Sequence, residues 1–454
     1  MTFRRRVKSG NSNVERPAAA ARLEAEAEGS LIGRSILHPR FRRRLLWILL
    51  GGILLTAFVL RLLYVQLHLH EFELSGDALN YQLMSWQWVE DGIYGYALKR
   101  RSGVPNAYVT PGYPALLAAV YALVRDPYRQ ITVVRLIQVM LGTATVALGF
   151  LTVRRLLNRT SVALLAAFFM AVYPPYVQST AQVLTEVLAL FTMVLYFWLQ
   201  AKGLEENNWR WNSAAGLAFA AQVLVRPVLL PLAPLPFLCV LVARGWGSRH
   251  QVAKAALWTG SAAFVLMLPW WARNVFALHM FVLTSTGSAN PFLGGTYPYL
   301  RDMFSDFSAG GYKSEDQGWF ALRRLRVGLS REPLLYLRWY TVGKLRFTFG
   351  EPWLYQALPQ RGDLAQVAMV GHQIVSWLGL AGLLLGTLRR RVLGFALLYL
   401  TLFTALYLAF IPTTRYAYQL MFFLLVGAAW LICSLVDTIG SAVSGSRLLR
   451  SAGR

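Results

Sequence analysis

The chain has 454 residues, 56% of them hydrophobic and only 15% charged, and its mean hydropathy is +0.43. Soluble domains carry roughly a quarter charged residues, so a soluble globular protein is excluded and an all-α polytopic membrane protein is expected. The net charge of +24 does not point to nucleic acid, because the basic residues punctuate the apolar runs instead of lining one soluble face. Cys239 and Cys433 lie within apolar runs and read as small core residues, with no disulfide framework.

Residues 1–44 form a basic tail containing Ala and Glu, closed by Arg40, Arg42, Arg43 and Arg44. The tail has no early apolar core and no small-residue cleavage site, so it reads as a disordered cytoplasmic arm and not as a signal peptide. Residues 45–67 are then the first span, running from inside to outside.

A polar, aromatic-rich stretch comes next at 73–114, within an outer loop at 68–130. Asp77 stands at its start. Residues 78–91 read as a helix with Leu79, Leu83 and Trp86 on one face and Asn80, Gln82 and Gln87 elsewhere. Trp86 and Trp88 suit a helix lying flat at the lipid–water boundary, and Gly92 ends it. Asp77 has two readings here: the N-cap of that helix, or a functional carboxylate just past the membrane. Residues 115–124 are apolar but too short to span, so they read as a second interfacial helix entered at Pro111 and Pro114.

Further on, 131–153 return to Arg154, Arg155 and Arg159. Residues 161–173 go out, and 183–200 come back after the uncharged turn 174–182. The runs 211–225 and 228–243 flank Arg226 and Pro227, and are two spans or one re-entrant hairpin. Residues 255–271 lead out to a long polar segment, 274–365, placed outside because long loops translocate largely regardless of charge. Within it 334–349 is amphipathic and is expected to rest on the membrane. The runs 366–388, 392–410 and 419–436 complete a domain at 45–436, ahead of an inner tail at 437–454. About ten transmembrane helices are expected, with both termini cytoplasmic.

Arg61, Arg135, Glu186, Arg226, Arg273 and Arg415 interrupt or abut these spans, and in this topology all fall at the outer end. A charge deep in a span costs about 3 kcal/mol on insertion scales, so such residues line a polar cavity or pair. A single arginine could instead snorkel to head groups. Five arginines and two acids (Asp77 included) converging on one face suit an anionic ligand, phosphate first.

Asp77 followed by Tyr81, then Pro111, Gly112, Tyr113 and Pro114, resembles the first outer loop of the polyprenyl-phosphate-sugar-dependent glycosyltransferases. These are GT-C-type membrane enzymes that include protein O-mannosyltransferases of glycosyltransferase family 39 and the aminoarabinose transferase of lipid A. Leu184, Thr185 and Glu186, the run PWWARN at 269–274 with the Gly- and Asn-containing 285–297, and Arg415 with Tyr416 are similar in order and spacing. One departure is Ala78, where many members carry a second acid.

The resemblance implies a GT-C-like fold and a sugar donor on a lipid monophosphate. It implies Asp77 as general base toward an acceptor hydroxyl, with inversion by single displacement. Arg273 and Arg415, helped by Arg226, would hold the leaving phosphate. Tyr81, Tyr113, Asn290 and Tyr416 would line the substrate, and Glu186 would orient an arginine, bind sugar or form a structural ion pair. The partners implied are the polyprenyl-phosphate sugar, a glycan, lipid or protein acceptor, and the bilayer, with no nucleic acid. The expected place is a bacterial plasma membrane, with the active site extracytoplasmic. No cofactor is expected, although a divalent metal stays open. A Gly-rich phosphate loop opening a helix is absent and the few histidines are scattered. The competing classes are a glycan ligase or polymerase, and a transporter or flippase of lipid-linked sugar.

Overall fold

The computed structural model describes residues 39–68, 74–303, 305–306, 316–353 and 363–452. Most of the basic tail expected at 1–44 lies outside these residues. The chain divides into two compact units, Met1–Ile48 with Ile432–Arg454, and Leu49–Leu431. The described part of the first unit is the start of one helix and the end of another. The second unit holds the remaining helices and all of the candidate site residues. Among the described residues there are helices, turns and coil but no strand.

The first helix, α1, covers Pro39–Leu67, and α2 covers Gly76–Asp91. Then come α3 (Gly112–Leu123), α4 (Pro127–Leu157), α5 (Thr160–Val172) and a one-turn α6 (Pro174–Gln178). The next are α7 (Glu186–Glu206), α8 (Trp209–Val225), α9 (Leu235–Arg244) and α10 (Arg249–Leu278). Short helices α11 (Ala289–Gly295), α12 (Gln317–Arg331), α13 (Pro333–Arg338) and α14 (Lys344–Phe349) come after them. The chain closes with α15 (Asp363–Thr387), α16 (Arg391–Leu408) and α17 (Thr414–Ala452).

Among the described residues eight helices are long and apolar enough to cross a membrane, and a ninth span results if the pair bent by 60° at Pro174 counts as one. The expected number is about ten, and the 17-residue α8 is not among these eight or nine. The run 211–243 is two helices separated at Arg226 by a 3₁₀ turn over Pro227–Leu232. Pro227 explains the break, since it cannot donate to the helix ladder.

Local chemistry sets the other boundaries. Asp126 caps α4 by accepting from the Tyr128 amide at 2.9 Å, and Asn158 ends it in a left-handed conformation. Asn207 and Asn208 do the same at the join between α7 and α8, where the Asn208 side chain accepts from Arg210 N. At that end Arg155 pairs with Glu205 and Glu206. The 21-residue α7 puts Glu186 about 30 Å away at the other end, close to the thickness of a hydrocarbon core.

Two interfacial elements do more than lie on lipid. In α2, Asn80, Gln82 and Gln87 are buried while Leu79, Leu83 and Trp86 stay half-buried. The polar side is needed to hold the next loop. Gln87 donates to Ile93 O and accepts from Gly103 N, and Asn80 donates to the Tyr96 hydroxyl and accepts from Lys99 N. The stretch 334–349 does not simply rest on lipid either. A π turn at Trp339–Gly343 splits it, and Trp339 and Lys344 are fully buried. Trp339 Nε1 donates to Gly295 O at 3.0 Å, so this segment packs on α11.

Candidate active site

Glu186 is the first residue of α7, fully buried, where the positive end of the helix dipole favours a carboxylate. A buried charge needs partners, and Glu186 has two. Arg226, stranded between α8 and the 3₁₀ turn, donates from Nη2 to Glu186 Oε1 and from Nε to Thr185 Oγ1 at 3.0 Å. Arg415, in the first turn of α17, lays Nε on Oε1 and Nη2 on Oε2 (3.1 Å) as a fork. Its remaining nitrogen, Nη1, turns outward and donates to Asp77 Oδ2 at 2.6 Å.

Exposure rises along this chain of charges. Side-chain exposure is 0% at Glu186, 13% at Arg226, 19% at Arg415 and 48% at Asp77. Glu186 is thus the buried floor that holds both guanidinium groups, and Asp77 is the carboxylate a ligand can reach. Asp77 does not cap α2. The helix starts at Gly76 with Ser75 in the cap position, and the Asp77 carboxylate faces Arg415.

Five arginines and two acids are expected together on one face, and not all of the arginines meet the acids. Two join the network, so two positive and two negative side chains balance. Arg61 is fully buried and donates to Ala57 O, Ala171 O and Met170 O. Arg135 donates from Nε to Ala181 O at 2.9 Å. Both serve the bend between α5 and α7, where Pro174 and Pro175 interrupt the ladder and leave carbonyls that an apolar surrounding cannot satisfy. Gln138 completes that service, donating to Thr180 O and Gln182 O. Arg273 clasps the loop after α2, donating to Tyr94 O (2.6 Å), Asn106 O (3.1 Å) and Asn274 Oδ1. Its guanidinium also lies over the Tyr94 and Trp270 rings. Backbone carbonyls hold it, and none of its hydrogen bonds goes to the carboxylates.

The tyrosines divide in the same way. Tyr81 is one turn beyond Asp77 on α2, edge-on to Tyr113, and burial followed by the Asp77 charge pushes its hydroxyl well above the usual range. Tyr113 itself is fully buried and donates to Gln138 Oε1 at 3.0 Å, so it braces the bend beneath Glu186. Tyr416 stacks on Tyr407 at 4.3 Å beside Arg415. Asn290 is half-buried on α11, which docks on the turn before Arg415 through the bond from Ile411 N to Pro291 O (2.7 Å). The motif around Gly112 also has a steric cause. A Cβ there would meet the Leu224 carbonyl at 2.7 Å, so only glycine lets α3 seat against the end of α8 beside Arg226.

Trp353, which lies 5.9 Å from the Arg415 guanidinium, and Gln138, which braces the bend below the site, are residues that sequence reasoning misses. A glutamine inside an apolar run is the available signal for Gln138. No group of three or more His, Cys, Asp or Glu fit to hold a metal occurs among the described residues. A cavity of about 370 Å³ lies toward the Arg155 end of the bundle, lined by Phe197, Cys239, Tyr399 and Phe422 among others. It is mostly apolar and touches none of the four charged residues, so volume does not mark the chemistry.

The fold is that of a polytopic, all-helical membrane protein. Residues 108–272 match the family described as dolichyl-phosphate-mannose-protein mannosyltransferase. That stretch contains Gly112, Glu186 and Arg226 but neither Asp77 nor Arg415. The ligand-free oligosaccharyltransferase of Archaeoglobus fulgidus is similar over 90% of this chain and 52% of its own, at 14% identity and a TM-score of 0.58. AglB from the same archaeon, solved with an inhibitory peptide and a dolichol-phosphate, is similar over 89% and 52%, at 15% identity and a TM-score of 0.54. ArnT from Cupriavidus metallidurans, bound to undecaprenyl phosphate, covers 88% and 79% at 14% identity, with a TM-score of only 0.38. This chain therefore spans about half the length of the archaeal enzymes it matches. No curated protein sequence matches it. The resemblance read from the motifs holds: the chain is similar to the GT-C-type glycosyltransferases that use polyprenyl-phosphate sugars, in sequence over 108–272 and in fold over most of its length.

Proposed function

We propose that the protein transfers a sugar from a polyprenyl-phosphate donor to an acceptor hydroxyl at the Asp77 end, on the extracytoplasmic side of a bacterial plasma membrane. The basic residues Arg154, Arg155, Arg159, Arg244 and Arg391 sit at or near the opposite helix ends, which supports that orientation. The observation that carries the reading is the position of Arg415. Two of its donors are fixed on the buried Glu186, and the third is lent to the reachable Asp77.

A phosphate oxygen arriving at the mouth competes with Asp77 for Nη1 of Arg415. The released Asp77 carboxylate then accepts the proton of an acceptor hydroxyl as that oxygen attacks the anomeric carbon. The bond from that carbon to the phosphate oxygen breaks, with inversion. Charge grows on the leaving phosphate where Arg415, with Arg226 behind it, is already oriented. Tyr81 and Tyr416, whose hydroxyls feel the Asp77 and Arg415 charges, are assigned as substrate contacts, and Asn290 on α11 is assigned with them. Tyr113 and Arg273 are given bracing roles, because their polar atoms are spent on Gln138 and on backbone carbonyls.

The test is binding of a polyprenyl monophosphate to purified protein in nanodiscs. Arg415→Ala should weaken it by roughly ten- to a hundredfold, the worth of a charge-assisted hydrogen bond. Arg415→Lys should restore only part, since the planar fork is lost. Unchanged affinity in Arg415→Ala removes the phosphate from this site.

A further inference from the structure

Lys344 is a buried cation that the proposed chemistry does not use. It opens α14 directly after the π turn and is fully buried. Its ammonium donates to Leu408 O at 2.6 Å and to Phe410 O at 3.0 Å. The Tyr340 ring lies 3.7 Å from Nζ and the Trp339 ring 5.7 Å. Leu408 is the last residue of α16, whose final carbonyls have no partner within the helix. A cation there satisfies them and meets the negative end of the helix dipole.

The turn after α16 is short. Only Ala409 to Thr413 separate that helix from α17, whose second residue is Arg415. The turn is pinned at three further points. Phe410 N donates to Tyr407 O, Ile411 N donates to Pro291 O, and Gly295 sits so close to the Phe410 carbonyl that a Cβ would meet it at 2.6 Å. Arg415 N in turn donates to Thr413 Oγ1 at 3.3 Å. A displacement of the Leu408 and Phe410 carbonyls therefore reaches the guanidinium through five residues and no flexible linker.

We propose that protonated Lys344 is the positioning residue of Arg415: its ammonium holds the end of α16 and the adjoining turn in the one arrangement that sets Arg415 between Asp77 and Glu186. Assembly of that network then depends on a single proton held by the segment between α10 and α15.

The surroundings make the proton labile. From the π turn Lys344 faces the rings of Trp339 and Tyr340, with Tyr336 behind Tyr340. From α16 and the turn it faces carbonyls, and α11 has no titratable side chain. No carboxylate bonds to it among the described residues. Burial lowers its pKa to about 7. The unfolded chain keeps its proton to far higher pH, so between about pH 7 and the usual lysine range unfolding takes up a proton. Stability contributed by this group rises with pH across that window, while the hold on the turn weakens. The charged form thus costs stability and supplies position, as expected of a functional group and not of a simple brace.

The geometry at Arg415 does not depend on a donor; only its consequence for binding rests on the proposed function. Two readouts separate them, both on the full chain in nanodiscs. The first is the Arg415 Nε–H resonance, assigned by its loss in Arg415→Lys. In the wild type it should shift with a midpoint near pH 7, and in Lys344→Met and Lys344→Arg that step should vanish. The second is affinity for a polyprenyl monophosphate. It should fall about three- to tenfold between pH 6 and pH 8.5 in the wild type, and should be low and flat in Lys344→Met, since Lys344 acts only through the position of Arg415 and the loss is that of about one ordinary hydrogen bond. A resonance step that persists in Lys344→Met, or no step in the wild type, overturns the proposal. A resonance step that behaves as stated without any lipid binding upholds Lys344 as positioning residue and defeats the donor-phosphate reading instead.

Discussion

The mouth at Asp77 and the bend between α5 and α7 hold the same residue type in similarly apolar surroundings, and use it differently. At the mouth Arg226 and Arg415 are tied to carboxylates. At the bend Arg61 and Arg135 are tied to carbonyls of Met170, Ala171 and Ala181. A carbonyl can be satisfied once and for all, whereas a carboxylate at the edge of solvent can exchange partners. An arginine in a span therefore marks a site only when its partner is itself chargeable and reachable. Arg273, held by Tyr94 O and Asn106 O, belongs by that criterion with the bend, although its sequence context resembles a phosphate-binding motif.

The largest effect should come from removing the floor of the mouth. Glu186→Gln leaves two guanidinium groups against a neutral amide in a buried position, which should cost about 3–5 kcal/mol of stability. A thermal unfolding midpoint close to wild type would mean the network is wetter than its burial implies. A smaller loss is expected at the bend. Arg61→Met removes three bonds to carbonyls and should cost about 1–3 kcal/mol, with lipid-phosphate affinity per folded protein unchanged. A selective loss of affinity there would erase the distinction between the two regions. Smallest is Arg273→Gln, expected to loosen the 94–106 loop at about 1 kcal/mol and leave bare lipid-phosphate affinity within twofold or so. A loss matching that of Arg415→Ala would return Arg273 to the phosphate.

Much of this fold is legible in the sequence, because apolar runs of spanning length alternate with basic clusters and prolines mark the breaks. The residues of the mouth are legible too, as charges where charges are expensive. Their pairing is not, since Asp77 and Arg415 lie 338 positions apart and Glu186 and Arg415 lie 229 apart. Nor is the fate of Arg61 or Arg135, because the carbonyls they serve exist in every segment and become needy only where a bend frees them. Lys344 reads as one more basic residue on an amphipathic helix. Its burial comes from the π turn and the docking of Trp339 on α11, which no periodicity announces. The buried polar side of α2 is hidden for a related reason: its partners are backbone groups of a loop without regular pattern.

At the centre stands the proposal that Asp77 acts as a base and that Arg415 holds it ready. Asparagine keeps the size of the side chain and its bond from Arg415, but an amide takes no proton at neutral pH. With a polyprenyl-phosphate sugar and an acceptor supplied in membranes, Asp77→Asn should fold, bind the lipid phosphate, and turn over roughly two to four orders of magnitude more slowly than wild type. Near-normal transfer by Asp77→Asn would rule the base out, and would leave Asp77 as no more than the outer partner of Arg415.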